Sequence, residues 1–173
     1  MRTTILLNVI LFFFLKVTSQ DLTGSQLLEK SISYHDPSGV WSSFKSNFVV
    51  TMKSPDRPIR RSKIELDISK LFFKLTIEDN GNKLVSTLDN NDCSLSFNGN
   101  ETFSKEIATK FRLNCERASM YRDYYTYLYG LPMKLNDKGT IIDSKINEKQ
   151  INGISYWVLK ATYTPEVGGD TWY

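Results

Sequence analysis

The sequence predicts an α+β fold in which an antiparallel sheet is covered on one face by helices. Five short segments between Phe44 and Phe97 alternate apolar and polar residues with period 2, with turn residues between them. The stretch CERASMYRDYYTYLYGLPMKL, Cys115 to Leu135, reads as a helix with five tyrosines closed by a Gly-Leu-Pro stop. Strand-like segments flank it on both sides, and a sheet with one apolar face needs a cover, which the helices supply.

Taken in order, the chain opens on a signal-peptide pattern over residues 1–20. Arg2 gives a basic start, Ile5 to Leu15 an apolar run, and Val17-Thr18-Ser19-Gln20 small residues for cleavage before Asp21. The run is shorter than the roughly 20 apolar residues a spanning helix needs; an uncleaved anchor is the alternative. No cysteine near the cleavage site supports a lipid anchor of the bacterial lipoprotein kind. Residues 21–173 are then expected to form one α+β domain, long enough for a core of its own.

Thr23-Gly24-Ser25-Gln26 fits a capping box, and Leu27, Leu28 and Ile32 mark one face of the helix that follows. Asp36-Pro37-Ser38-Gly39 stops it. Phe44, Phe48, Val50 and Met52 then share one face of a first strand, and Ser54 to Pro58 form a loop. Ile64, Leu66 and Ile68 mark a second strand; Phe73, Leu75 and Ile77 a third. Asp79-Asn80-Gly81-Asn82 is the best hairpin signal, because Asn-Gly accepts the positive φ of a primed turn. Leu84, Ser86 and Leu88 return, and Cys93, Leu95 and Phe97 align on a fifth strand ended by Asn98-Gly99-Asn100.

A short helix is expected over Ser104 to Lys110, and Asn114 caps the Tyr-rich helix. Met120, Tyr121, Tyr124, Tyr125 and Leu128 make its broad stripe, and Gly130 suits a left-handed position after its end. Ile142 and Ile146 suggest a strand, Asn152-Gly153 a hairpin, and Trp157, Leu159, Ala161 and Tyr163 one face of the next strand. Asp170-Thr171-Trp172-Tyr173 reads as the start of another strand, so the chain is expected to lack C-terminal strands.

Charge and composition exclude some function classes. The whole chain has 22 Lys+Arg and 19 Asp+Glu. Losing Arg2 and Lys16 with the signal leaves 20 − 19 = +1, which gives no electrostatic argument for nucleic acid or an anionic membrane. Two cysteines, Cys93 and Cys115, in an exported chain suggest a bridge, with two buried thiols as the alternative. Two isolated cysteines and one histidine do not make a metal ligand set. No cofactor fingerprint is present, and no cofactor is expected. His35, beside Asp36, is the one candidate general base, but at a helix end it more simply favours the negative terminus. Arg57, Arg60, Arg61 and Lys63 form a basic cluster that reads first as a solvated strand edge and second as a contact for an acidic partner or lipid head group. Asn100-Glu101-Thr102 fits a glycosylation sequon, which has meaning only in a eukaryotic secretory pathway.

The signal ending in Ser-Gln, LTGSQLLEKSISYHDPSGVW, the Tyr-rich helix with its stop, and GGDTWY together resemble an uncharacterised family of small exported proteins from Bacteroidota-type Gram-negative bacteria. The resemblance spans most of the mature chain. It implies further strands beyond DTWY, and both cysteine positions match the pattern, which supports the Cys93–Cys115 bridge. The element order is also similar to bacterial lipoprotein carriers and receptors. That likeness implies an incomplete, curved antiparallel half-barrel with helices on its concave side and an affinity for acyl chains; it carries over no catalytic residue.

The expectation is therefore a non-enzymatic periplasmic or extracellular protein that binds a lipid or other hydrophobic small molecule in the concavity. Phe48, Val50, Leu66, Phe73, Leu75, Met120, Tyr121, Tyr124, Tyr125 and Leu128 are the expected lining, although the same tyrosine face suits core packing. The alternative is an interaction module for an envelope protein, using exposed Tyr and Trp. An enzyme with His35 as base is the third reading.

Overall fold

The computed structural model describes residues 22–173, and the signal-peptide expectation for residues 1–20 lies outside them. Helix α1 (Gly24–His35) starts at the expected capping box: the Thr23 hydroxyl accepts from the Gln26 N–H at 3.3 Å, and the Gln26 side chain accepts from the Thr23 N–H at 2.9 Å. Its first turn sits hard against another segment. A Cβ on Gly24 would meet the Asp143 carbonyl, and the Gly24 N–H donates to the Ser144 carbonyl at 3.1 Å.

Five strands follow: β1 (Lys45–Ser54), β2 (Arg57–Asp67), β3 (Phe72–Asp79), β4 (Asn82–Asp89) and β5 (Asp92–Phe97). They form one open antiparallel sheet in chain order, so the fold is α+β with a meander at its centre. Asn80 and Gly81 both take positive φ, 49° and 76°, as the tight β3–β4 turn demands. Register then aligns the apolar faces. Phe48 pairs with Ile64, Ile64 with Leu75, Leu75 with Ser86 and Ser86 with Leu95; Leu66 pairs with Phe73, Phe73 with Leu88 and Leu88 with Cys93. A slip of one residue would turn each set outward, so burial fixes the register.

Helix α2 (Lys105–Phe111) begins on the Ser104 cap, and α3 (Cys115–Tyr129) on Asn114, whose side chain accepts from the Arg117 N–H at 2.7 Å. Ala118 and Tyr125 of α3 join Ile64, Leu66, Phe73, Leu75 and Leu88 in one buried cluster. The remaining strands are small: β6 (Thr140–Ile142), β7 (Asn147–Ile151), β8 (Ile154–Val158) and β9 (Ala161–Tyr163). β7 and β8 form a hairpin at Asn152-Gly153, while β6 pairs with β9. No helix among the described residues is long and apolar enough to cross a membrane.

Four local expectations are corrected. The strand expected around Ile142 and Ile146 is two strands, with Ile146 between them. The strand expected from Trp157 to Tyr163 is likewise split, because β8 and β9 pair with different partners and the break at Lys160 is held by the Asp143 N–H donating to its carbonyl at 3.0 Å. The C-terminal stretch contributes a single bridge, Ala161 to Trp172, in place of a strand start. Finally, Gly130 is not left-handed: its φ is −93°. It is glycine for want of space, since a Cβ there would meet the Trp41 ring and the Thr126 carbonyl.

A disulfide joins Cys93 on β5 to Cys115, the first residue of α3, with Cα atoms 6.0 Å apart. The two cysteines are 22 residues apart in sequence, so losing the bridge by a Cys93→Ser/Cys115→Ser double substitution is expected to lower the unfolding free energy by about 3 kcal/mol in the chain-entropy model. A urea midpoint equal to that of the parent chain would refute this. Gly130→Ala is expected to destabilise by about 1–3 kcal/mol through overpacking, measurable in the same titration.

Candidate apolar ligand site

Helix α3 buries one face on the large sheet. Ala118, Tyr121, Tyr125 and Tyr129 recur at three- and four-residue spacing, the period of one helix face. Tyr125 is 3 % exposed, and its ring lies 6.5 Å from that of Phe73 in a stacked arrangement. Tyr121 and Tyr129 stack on it at 6.0 Å and 6.3 Å, and Tyr129 also meets Phe48 at 4.4 Å. Burial pushes the Tyr125 phenol up from its ordinary value, with the Ser62 hydroxyl and the Arg60 charge opposing the rise.

The ten expected lining residues divide accordingly. Leu66, Phe73, Leu75 and Tyr125 are buried core, and Phe48, Val50 and Tyr121 pack against them. Met120 and Tyr124 are turned to solvent, 42 % and 53 % exposed, and Leu128 is half-buried. The inner face of the sheet under α3 is therefore filled with side chains. Helix positions advance about 100° per residue, so the expected stripe was rotated relative to the true inner face, which centres on Ala118 and Tyr125.

That rotation places Tyr127 on the opposite side of α3, and the apolar space lies there. A cleft of about 440 Å³ is walled by Leu27 and Leu28 of α1, by Leu131, Pro132 and Leu135 after α3, by Tyr156 and Trp157 of β8, and by Leu159 and Trp172. Ser31, Tyr127, Tyr156 and Tyr173, all on its wall, carry hydroxyl groups. None of the ten expected residues lines this cleft. Its sequence signals were partial: Leu27 and Leu28 stood out as a helical face and Trp157 and Leu159 as a strand face, but nothing local brings these segments together. A second cavity, about 510 Å³, lies between the β2–β3 turn, Leu66 to Phe72, and the Thr140 and Tyr163 strands, and its wall also carries charged residues, among them Arg122, Asp123, Lys134 and Asp137. Tyr127 lines both cavities.

Tyr127 is fixed by aromatic neighbours. Its hydroxyl is hydrogen-bonded to that of Tyr163, and its ring lies 5.5 Å from Trp172. Burial first, and the Tyr163 hydroxyl second, push the Tyr127 phenol well above the ordinary tyrosine range. The neutral phenol is thus the form the fold holds, and it can orient a polar end of a bound molecule.

His35 ends α1 with its ring edge-on to exposed Tyr34 at 5.3 Å. The Asp36 carboxylate accepts instead from the backbone N–H groups of Val40 and Trp41, at 2.8 Å and 2.9 Å. The pair is thus built as a helix stop. In the basic cluster, Arg61 and Lys63 are exposed on the outer face of β2, whereas Arg60 is half-buried on the inner one.

A family model for a family of unknown function, DUF6503, matches residues 3–173. No curated protein and no solved structure matches the chain.

Because the raised phenol of Tyr127 favours the protonated folded state, its contribution to stability is fully present below pH about 10 and is lost as pH rises above that value. Urea midpoints across this range should fall more gently in Tyr127→Phe than in the parent chain. An identical slope would mean that Tyr127 does not supply the alkaline loss.

Proposed function

We propose, from the premise that this chain belongs to the DUF6503 family of unknown function, that it is an exported, non-catalytic protein that binds a hydrophobic ligand. The observation that carries this reading is the apolar cleft of about 440 Å³ beside α3, built mainly from aliphatic and aromatic side chains, four of its lining residues carrying hydroxyl groups. Small-ligand sites fall at about 300–1,000 Å³ and combine an apolar lining with a few polar groups. The ligand class that fits is a lipid acyl chain or a comparable apolar small molecule with one polar end, its chain buried among Leu27, Leu131 and Trp157 and its polar end near Tyr127. The site lies on the side of α3 away from the large sheet, beside the concavity and not within it.

Export is supported by the basic-apolar-small pattern of residues 1–20 and by a disulfide, which persists in oxidising compartments. The five-stranded antiparallel sheet is open, as an incomplete half-barrel would be.

A second reading is favoured by the β7–β8 hairpin. Trp157 is 65 % and Ile154 58 % exposed, and exposed apolar side chains of this kind serve as anchors for a protein partner of the envelope.

Titration with a fluorescent long-chain fatty acid separates the two. The parent chain is expected to bind it with quenching of tryptophan emission. Leu27→Trp, which fills the cleft, should weaken binding about tenfold or more, and Tyr124→Ala, outside it, should not. No binding by the parent chain, or equal binding by Leu27→Trp, would refute the cleft. Under the interaction reading, Ile154→Glu would abolish cross-linking to an envelope protein and leave the fatty-acid titration unchanged.

A further inference from the structure

A third cavity, of about 280 Å³, lies on the inner side of the large sheet at its Asn80-Gly81 end, roofed by the end of α2 and the first turns of α3. Its floor is aliphatic, from Leu75, Ile77 and Leu84. Its remaining wall is unusual in charge. Arg60, Lys110, Arg112 and Arg117 line it against a single carboxylate, Asp79, which gives 4 − 1 = +3 in a chain that is otherwise close to neutral.

The backbone puts these cations there. On β2 the inward positions are Ser62, Ile64 and Leu66, and Arg60 continues the same parity, so the strand delivers a guanidinium where an aliphatic residue would extend the core. The Nε of Arg60 is buried and has no hydrogen-bond partner. Arg112 ends α2 in the left-handed conformation, φ 51° and ψ 42°, at a position glycine or asparagine usually fills. Arg117 is held by neutral groups: its guanidinium lies 4.9 Å above the Tyr121 ring and donates to the Tyr121 hydroxyl at 3.4 Å. Among the described residues, none of the four cations makes an ion pair with a carboxylate.

Lys110 and Arg112 are exposed, so solvent screens part of their repulsion, but Arg60 and Arg117 are half-buried, and a buried guanidinium N–H without an acceptor opposes folding. An anion in the cavity removes both penalties. We propose that this cavity binds a phosphate group. Guanidinium forks match phosphate oxygens in paired hydrogen bonds, and a lining of +3 is better balanced by a dianionic phosphate than by a single carboxylate. The phosphate belongs either to a free phosphate compound or to a lipid headgroup, and the two sources are separable. The site lies on the sheet side of α3, away from the apolar cleft, and stands whether or not that cleft carries a ligand.

The test uses the full chain. Thermal unfolding is followed as inorganic phosphate is added at constant ionic strength, with chloride as the reference anion. The midpoint is expected to rise with phosphate and not with chloride. Arg60→Met should weaken the apparent affinity about tenfold or more, and Arg61→Met, one residue away on the outer face, should leave it unchanged. Arg112→Gly suits the left-handed turn, so it keeps the fold while removing one cation, and it too should weaken phosphate binding. In a second arm, the chain is mixed with phosphatidylcholine vesicles with and without phosphatidic acid. Binding to the phosphatidic acid vesicles alone, lost in Arg60→Met, assigns the site to a headgroup; a response to inorganic phosphate alone assigns it to a free compound. If neither phosphate nor phosphatidic acid has an effect, or if Arg60→Met and Arg61→Met weaken binding equally, the site is refuted.

Discussion

The stacking of Tyr125 on Phe73 is the contact on which the rest of the structure depends. It seats a polar aromatic in the centre of the core, directly over the sheet. A phenol can be buried there because Ser62, itself buried on the neighbouring strand, sits within reach of its hydroxyl. Once Tyr125 is seated, the rotation of α3 about its own axis is set. Ala118 and Tyr121 must then face the strands, and Tyr127 must face away. Both cavities that flank Tyr127 follow from that single orientation.

The helix thus separates two chemically different spaces. Toward the sheet, where α3 begins, the walls carry cations that pair with no carboxylate among the described residues; on the far side, where it ends, they are mainly aliphatic and aromatic. An amphipathic molecule would find its two halves served on different sides of one helix. The family assignment supplies no activity, so the chemistry of each wall has to carry the functional reading, and fold alone does not.

Much of the fold was legible. The five-stranded meander followed from period-2 alternation and from Asn-Gly at the β3–β4 turn, because a half-buried strand must alternate and a tight turn must accept positive φ. The existence and limits of α3 were legible too, from Asn114 and from the Gly130-Leu131-Pro132 stop. Its facing was not. Tyrosines at 121, 124, 125, 127 and 129 spread over more than half of the helix circumference, wider than the face that is buried, so the stripe can be drawn in more than one place. Beyond Asn136 the strands are short and β7 is exposed along its whole length, so burial leaves no period to read. The cleft drew on four separated segments and could not be assembled from local pattern. Arg60 was in principle readable: extending the parity of Ile64 and Leu66 by two steps places it inward, but its proximity to Arg61 and Lys63 made the cluster look like solvated surface.

The two ends of α3 are held by different kinds of bond. Its first residue is tied covalently to β5 through Cys93, whereas its last turn is kept in place by the fit of Gly130 under Trp41 and by hydrogen bonds from the Gly130 N–H to the Thr126 and Tyr127 carbonyls. Local opening of a helix starts where contacts can be released without breaking a covalent link. In amide hydrogen exchange the C-terminal turns of α3 should therefore open first, and the turns beside Cys115 last. The wall of the apolar cleft is then the part of the helix that breathes, while the cation-lined cavity sits against the part that does not.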